Sequence, residues 1–171
     1  MPGMLRQNPP SPQGWIEGKL TPAFNGPIGV RSATKSDRNF IVNSWLKSFR
    51  KTSNQRANGY YANRGPIVVD LVERCASTLF VDPEENTTIW AWCVWEVLAD
   101  ALIVHYVYVR HLFRRNGIAW RLLRTIEADN GLVEYHTHET PVGAMIASKL
   151  KSTHMPIRWA NTWKAAEERA K

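Results

Sequence analysis

One short stretch of the sequence joins an apolar strand to a helix through a few polar residues, between positions 105 and 126. Gly117 lacks the side chain that would keep a phosphate group away from the backbone, and Ala119 leaves the first helical turn uncrowded. Arg114 and Arg115 add positive charge at the same place. Because the first backbone N–H groups of a helix are unpaired and partly positive, this join is predicted to bind an anion.

Two titratable side chains on predicted strands are candidates for proton transfer. His105 lies on the strand that leads to the join, and strict alternation places it on the same face as Val107 and Val109. An imidazole that titrates near neutral pH suits a general base, and a hydrogen-bonded core histidine is the alternative interpretation. Glu96, on the preceding strand, is the second candidate base, or else a simple carboxylate at the sheet edge.

Other polar and sulfur-containing side chains have less specific spacing. His136 and His138 alternate along a later predicted strand, which is compatible with a metal pair, with residues lining a cleft, or with ordinary core and surface positions. Cys75 and Cys93 lie on apolar segments without metal-type spacing and are predicted to be reduced core residues. No metal site is therefore expected.

The elements that position these residues belong to three predicted segments. Residues 1–27 contain six of the ten prolines and are predicted to form an irregular amino-terminal arm. Residues 28–163 are predicted to form one domain, followed by a polar tail over 164–171. Within the domain, Thr34 followed by Asp37 indicates the start of a first helix, and Pro66 suits the first position of a second helix.

Hydrophobic periodicity predicts the order β, α, α, β, β, β, α, β, α, β along this domain. Asp82-Pro83 marks a turn between two β-rich runs, which indicates an antiparallel hairpin. The last element is a predicted strand over residues 155–163. This order predicts an α/β layered fold with a mixed sheet rather than a helix bundle.

The pattern Arg114-x-x-Gly117-x-Ala119, at a strand-to-helix join after an antiparallel run of strands, resembles a family signature. The family is the GNAT superfamily of acetyl-CoA-dependent N-acyltransferases, whose signature is Arg/Gln-x-x-Gly-x-Gly/Ala. The order of elements from about residue 28 to residue 163 is also similar to theirs. The resemblance implies a mixed, mainly antiparallel central sheet flanked by helices, with a splayed pair of central strands.

The resemblance also implies a co-substrate and the residues that would hold it. Acetyl-CoA is expected to place its pyrophosphate on the backbone amides of residues 115–119 and its pantetheine arm along the strand before them. The implied cofactor-binding residues are Val107, Val109, Arg114, Arg115, Asn116, Gly117, Ile118 and Ala119. Some family members place a carboxylate near the position of His105, which supports His105 as the candidate catalytic base.

One part of the family pattern is missing from this sequence. Many members use a Tyr, on the helix after the fifth strand, to return a proton to the departing CoA thiolate. Ser148 takes that position when Ala144 is aligned with the family's alanine. Either water or one of Tyr106, Tyr108 and Tyr135 then supplies the proton, or the protein transfers nothing.

The net charge of +7 is confined to the first half of the sequence. Residues 1–80 carry eleven Lys and Arg against four acids, whereas residues 81–171 carry eleven of each. The basic segment includes the first two helices, which flank the acceptor side in the family. A solvated helix face is the simple interpretation, and a surface that attracts an acidic partner is the functional one.

Three functions remain open at the level of sequence. The first is an N-acetyltransferase whose acceptor is a primary amine of a protein or small molecule, or less expectedly an aminoacyl-tRNA. The second is a GNAT-like binding protein with little transferase activity, acting through a protein partner or as a homodimer. The third is a nucleic-acid-binding module, which rests on the basic charge alone and predicts an affinity that falls steeply with salt. The tryptophans of the predicted hairpin, Trp90, Trp92 and Trp95, would form a base-stacking platform only if their rings were exposed beside basic residues. The sequence has no apolar run that could span a membrane and no secretory signal pattern, so a cytoplasmic protein is expected.

Overall fold

The computed structural model describes residues 15–16, 19–20, 26–52 and 59–156. Its strands are β1 (Trp15–Ile16), β2 (Lys19–Leu20), β3 (Gly29–Ser32), β4 (Ala76–Val81), β5 (Ile89–Leu98), β6 (Ala101–Val109), β7 (Val133–His136) and β8 (Thr153–His154). Its helices are α1 (Arg38–Thr52), α2 (Tyr60–Arg74), α3 (Ile118–Asn130) and α4 (Pro141–Leu150). None of these helices has the length and hydropathy that crossing a membrane requires.

Six strands form one open sheet in the order β3-β4-β5-β6-β7-β8, and β1 pairs only with β2. Neighbouring strands from β3 to β6 are antiparallel, whereas β6, β7 and β8 run parallel to one another. Parallel neighbours need crossover connections, and α3 and α4 provide them. The predicted mixed, mainly antiparallel sheet is therefore confirmed.

Each face of the sheet carries its own apolar core. Helices α1 and α2 pack on one face, where Trp45, Leu71 and Trp92 are completely buried. Helix α3 packs on the other face, through the predicted stripe of Ile118, Leu122, Leu123 and Ile126. Burial of one such side chain contributes about 1.5–3 kcal/mol, so the two cores hold the sheet and helices in fixed positions.

Local signals set where the first two helices begin. The Asp37 carboxylate accepts the Thr34 backbone N–H at 2.7 Å, as the capping pattern predicts, and also pairs with Arg31. The prediction that α2 begins at Pro66 was wrong, because the helix begins at Tyr60. The buried Tyr60 hydroxyl donates to the Leu46 carbonyl, which anchors this earlier turn to α1.

The carboxy-terminal part of the predicted order is only partly tested. Helix α4 matches the predicted helix, and the short strand β8 follows it. The predicted strand over residues 155–163 begins just after β8, and from residue 157 it lies outside the described residues.

Candidate functional site

The central strands β6 and β7 pair along only part of their length. Their parallel register joins Leu102 to Val133 and Val104 to His136, and Thr137 N–H then donates to the Val104 carbonyl at 3.1 Å. Beyond this bond β6 continues to Val109 beside β5, while the chain after β7 leaves toward α4. We refer to the opening between residues 105–109 and residues 137–138 as the fork. The splayed strand pair implied by the family resemblance is thus present.

The backbone groups of Val107 and Val109 face the fork rather than β5. The N–H of Arg110 donates to the Trp90 carbonyl on β5, so alternation turns the groups of residues 107 and 109 to the opposite side. The Arg114 side chain confirms this direction, because its Nε donates to the Val109 carbonyl at 2.9 Å. An extended ligand arm that enters the fork would therefore meet strand-like donors and acceptors.

The join over residues 114–119 has the backbone geometry of an anion site. Gly117 is the residue before α3 and has a left-handed conformation with φ of 72°, and Arg115 has φ of 63°. Within the described part of the chain, no side chain caps the amino terminus of α3. The first N–H groups of α3 are therefore available to a phosphate, and a pyrophosphate fits the chemistry of these donors.

The side chains of the join differ in what they can offer a ligand. The Arg114 guanidinium lies over the Tyr108 ring at 5.9 Å, and the Arg115 side chain is exposed. Asn116 and Ala119 are partly exposed, whereas Ile118 is 2% exposed and packs in the core under α3. Ile118 can therefore contribute only its backbone N–H, and the charged groups of the join are the guanidinium groups of Arg114 and Arg115.

The prediction that His105 shares a face with Val107 and Val109 was wrong. A β-bulge between β5 and β6 pairs Val94 with Tyr106 and Trp95 with Val104, so His105 has no partner across the strands. The extra residue breaks the alternation. His105 consequently lies on the side of α2, whereas Val107 and Val109 pack toward α3.

His105 and Glu96, the two predicted catalytic residues, are in direct contact. The Nε2 atom of His105 lies 3.0 Å from the Glu96 carboxylate, and Arg74 of α2 donates to the same carboxylate at 3.0 Å. Glu96 is on a central strand, so the interpretation as a sheet-edge carboxylate was wrong. Burial raises the pKa of Glu96, but the hydrogen bonds and charges of His105 and Arg74 outweigh it and lower that pKa to about 2.

The contact between these residues extends to two further residues at the fork. The other ring nitrogen of His105, Nδ1, lies 3.0 Å from the Thr137 hydroxyl, which lies 3.0 Å from Nδ1 of His138. Glu96, His105, Thr137 and His138 thus form one hydrogen-bonded chain, which we refer to as the relay. Because His105 is 1% exposed and both of its nitrogens are engaged, it cannot itself reach a bound amine.

His138 is the partly exposed end of the relay. Its ring meets the rings of Trp45 and Phe49 edge to face, each at 5.2 Å between centroids. Desolvation lowers the pKa of His138 to about 3, and the nearby charges of His105, Arg64 and His154 act in the same direction, whereas a hydrogen bond to the backbone of His105 acts against them. His138 is therefore neutral at physiological pH.

Cys75 lies beside the relay and could be read as a metal ligand. Its Sγ, a Glu96 oxygen and a His105 nitrogen all lie within 4.8 Å of one another, and such a donor set suits zinc. The Arg74 guanidinium, however, already neutralises Glu96 and would repel a divalent cation. We therefore assign Glu96 to the relay and to its ion pair. Cys75 and Cys93 are not joined by a disulfide bond, and Cys75 is only partly buried.

The other side chains considered from the sequence lie apart from one another and do not form a second site. His136 binds the Ser152 hydroxyl and stacks near His154, so it occupies a different environment from His138. Ser148 is exposed on α4. Of the candidate proton donors, Tyr106 is 7% exposed with its hydroxyl 3.1 Å from the Ser48 hydroxyl, Tyr108 stacks on Trp92, and Tyr135 packs beside Ile103.

The tryptophans of the central hairpin do not form a base-stacking surface. Trp92 is completely buried and Trp90 is 7% exposed. A platform for nucleic acid needs exposed rings. Trp90 and Trp92 therefore cannot stack on bases, whereas the nucleic-acid function, which was based on charge, stays a prediction.

Comparison with solved structures identifies proteins with the same fold. A GCN5-related N-acetyltransferase from Ralstonia eutropha superposes with a TM-score of 0.57 at 15% identity, covering 75% of this chain and 94% of that one. A protein described as histone acetyltransferase HPA2 and related acetyltransferase, from Corynebacterium glutamicum, gives 0.55 at 14% identity, covering 72% and 83%. A possible acetyltransferase from Clostridium difficile gives 0.54 at 17% identity, covering 75% and 91%.

These similarities concern the fold and not the sequence. No protein-family model matches the sequence, and no curated protein matches it. The chain has the fold of the GNAT acetyltransferases, as its element order predicted.

Proposed function

We propose that this chain is an acetyl-CoA-dependent N-acetyltransferase that acts on a primary amine. The fork carries this proposal, because two parallel central strands separate there beside an uncapped helix that begins at a left-handed glycine. A separated pair of strands gives an extended ligand a ladder of backbone groups. The adjacent join gives the same ligand donors for a pyrophosphate.

The co-substrate and the acceptor would approach the fork from opposite faces of the sheet. The Val107 and Val109 side chains pack toward α3, and the join lies at the beginning of that helix, so acetyl-CoA would lie on this side. The relay instead faces α1 and α2, where His138 contacts Trp45 and Phe49. An amine that enters between these helices and the fork would reach the thioester beside His138.

The charge on the acceptor side favours an amine attached to an acidic molecule. Lys47 and Lys51 are exposed on α1, and the Arg50 guanidinium lies over the Tyr61 ring of α2. A basic rim repels polycationic amines and attracts amines carried by acidic peptides or proteins. We therefore propose an acidic protein or peptide as the acceptor class, ahead of a small neutral amine.

The first experiment measures thermal unfolding of the purified protein with and without acetyl-CoA. At about 100 times its dissociation constant, a ligand stabilises a protein by about 2.7 kcal/mol, or about 5–10 °C for a chain of this size. The same measurement on Gly117→Glu should show no stabilisation, because the new carboxylate lies where the pyrophosphate would bind. A wild type that is not stabilised would refute the proposal.

Gly131→Glu is the matched control for that variant. Gly131 ends the same helix, has φ of 85°, and has no atom within 4 Å of an added Cβ. Both substitutions place a non-glycine residue at positive φ, so both should lower the unfolding temperature, and the loss should be larger at Gly131, whose ψ of 179° is essentially restricted to glycine. Only the variant at residue 117 should lose the response to acetyl-CoA.

Transfer is then tested by release of the CoA thiol with a panel of amines. The panel pairs lysine peptides of acidic, neutral and basic sequence with small primary amines. We expect the highest kcat/KM for acidic peptides. A protein that is stabilised by acetyl-CoA but releases no thiol with any amine would be the binding protein considered from sequence, and the transferase proposal would be wrong.

A further inference from the structure

The ionised end of the relay fixes which nitrogen of His105 carries a proton. The Glu96 carboxylate remains ionised because it also binds the Arg74 guanidinium, so it can only accept hydrogen bonds. The Nε2 atom of His105, 3.0 Å away, must therefore donate. When the His105 ring is neutral, its Nδ1 is then an acceptor.

The acceptor on His105 in turn determines which nitrogen of His138 carries a proton, because Thr137 lies between the two rings. The Thr137 hydroxyl has one proton and donates it to Nδ1 of His105 at 3.0 Å, the shorter of its two contacts with that residue. Its oxygen then accepts from Nδ1 of His138, also at 3.0 Å. A neutral His138 that carries its proton on Nδ1 has its lone pair on Nε2.

We propose that His138 is the catalytic base of this site, and that Glu96, His105 and Thr137 position it by fixing its tautomer. This inference rests on the proposed function, because the reaction needs an amine to lose a proton beside the thioester. His138 occupies the required place, since it is the first residue after the last bond between β6 and β7 and is partly exposed.

The proton and the electron pairs balance through His138 alone. The amine nitrogen attacks the thioester carbonyl carbon, a C–N bond forms, and Nε2 of His138 takes the proton that the nitrogen loses. The C–S bond then breaks, and the CoA thiolate takes this proton from Nε2. The ring returns to its neutral state, so the site needs no separate acid at the position of Ser148.

The lowered pKa of His138 suits the second of these steps. A desolvated imidazolium gives up its proton readily, so it is an effective donor to a thiolate. It is a weak base toward a free ammonium, and the amine must therefore bind in its neutral form. The zwitterionic intermediate that forms after attack is a stronger acid than a free ammonium and is the species that His138 deprotonates.

The direct test is the ¹⁵N NMR spectrum of the histidine rings in the full chain, which needs no substrate. We expect protons on Nε2 of His105 and on Nδ1 of His138 at alkaline pH. A His138 ring with its proton on Nε2 at alkaline pH would overturn the proposal.

Two variants of Thr137 separate the relay from a merely structural hydroxyl. Thr137→Val keeps the shape of the side chain but removes the hydrogen bonds of the hydroxyl, so the His138 proton should no longer be confined to Nδ1. Thr137→Ser restores the hydroxyl and should restore the wild-type spectrum. If the spectrum of Thr137→Val matches that of the wild type, the relay does not set the tautomer.

The kinetic test uses the amine with the highest turnover in the panel described above. His138→Gln should lower kcat by about 100-fold or more, as loss of a general base does, with the KM for acetyl-CoA changed little. An unchanged kcat would overturn the role of His138. The proposed function has its own test, since it is refuted if acetyl-CoA does not stabilise the wild type in thermal unfolding.

Discussion

The relay lies beside His105 on β6, and the join follows the end of the same strand. The two regions differ in whether their hydrogen-bond donors already have partners within the protein. At the join, an exposed Arg115 and the uncapped N–H groups of α3 face solvent. In the relay, every nitrogen of the buried His105 has a partner within the protein. The donors of the join are available to a ligand, whereas the donors of the relay are engaged in hydrogen bonds that position its side chains.

This difference indicates how stability and binding are divided between the two regions. A substitution in the relay leaves a buried group without a partner, which costs folding free energy. Removal of an exposed side chain at the join, such as that of Arg115, costs the folded protein little and should affect mainly the binding of a ligand. The three predictions that follow test this division.

The largest effect is expected for Glu96→Ala. The variant removes the partner shared by Arg74 and His105, and we expect the free energy of unfolding to fall by about 2–3 kcal/mol. For a chain of this size the unfolding temperature should fall by about 5–10 °C. Thermal unfolding at pH 7 measures this, with Glu134→Ala, an exposed acid on β7, as the control. Equal falls in unfolding temperature for Glu96→Ala and Glu134→Ala would mean that the relay does not stabilise the folded protein.

An intermediate effect is expected from the titration of His138. Its pKa is about 3 in the folded protein and 6.5 ordinarily, so between these values the unfolded chain binds a proton that the folded chain does not. Stability must therefore fall as the pH falls through this window. Between pH 7 and pH 5, the wild type should lose about 1–2 kcal/mol more than His138→Gln in denaturant unfolding.

The contribution of Glu96 can be separated from that of His138 because it titrates in a lower range. Its pKa is lowered from 4.5 to about 2, so the stability that it contributes is present above 4.5 and is lost as the pH falls toward 2. Equal pH dependence of the wild type and His138→Gln above pH 5 would mean that His138 is not desolvated as the structure shows.

The smallest effect on stability is expected for Arg115→Ala. The side chain is exposed, so the free energy of unfolding should change by less than about 0.5 kcal/mol. The affinity for acetyl-CoA should fall about two- to fivefold, and this loss should shrink as salt is added. Calorimetric titration at two ionic strengths measures it, with Lys47→Ala on α1 as the control. If Arg115→Ala lost as much stability as Glu96→Ala, the join would stabilise the folded protein as much as the relay does, and the difference between the two regions would be refuted.

The features that could be predicted from the sequence depend on local rules. Periodicity identified the helices and strands, and the spacing of Arg114, Gly117 and Ala119 after a strand identified the join. Both act within a few residues along the chain, where side-chain pattern and backbone conformation are directly linked. His105 and Glu96 were selected as candidate catalytic residues because titratable residues on buried strands are few in this sequence, and their roles stay predictions.

The arrangement of the relay could not be predicted, because it depends on pairing between distant residues. The bulge that turns His105 toward α2 arises from the register of β6 against β5, and a sequence pattern of period two cannot show it. Thr137 belongs to no motif. His138 was considered only together with His136, as a metal pair, as residues lining a cleft or as ordinary core and surface positions, and its neutral state depends on the rings of Trp45 and Phe49 from α1.

The bulge at His105 has a consequence for how such a site can arise or disappear. Residues 104 and 106 already occupy neighbouring positions opposite Trp95 and Val94, so the strand without residue 105 would be a regular one. All the other side chains of β6 would keep their faces. Gain or loss of a single codon could therefore add or delete the proton-handling histidine of this strand while leaving the hydrophobic packing on both sides of the sheet untouched.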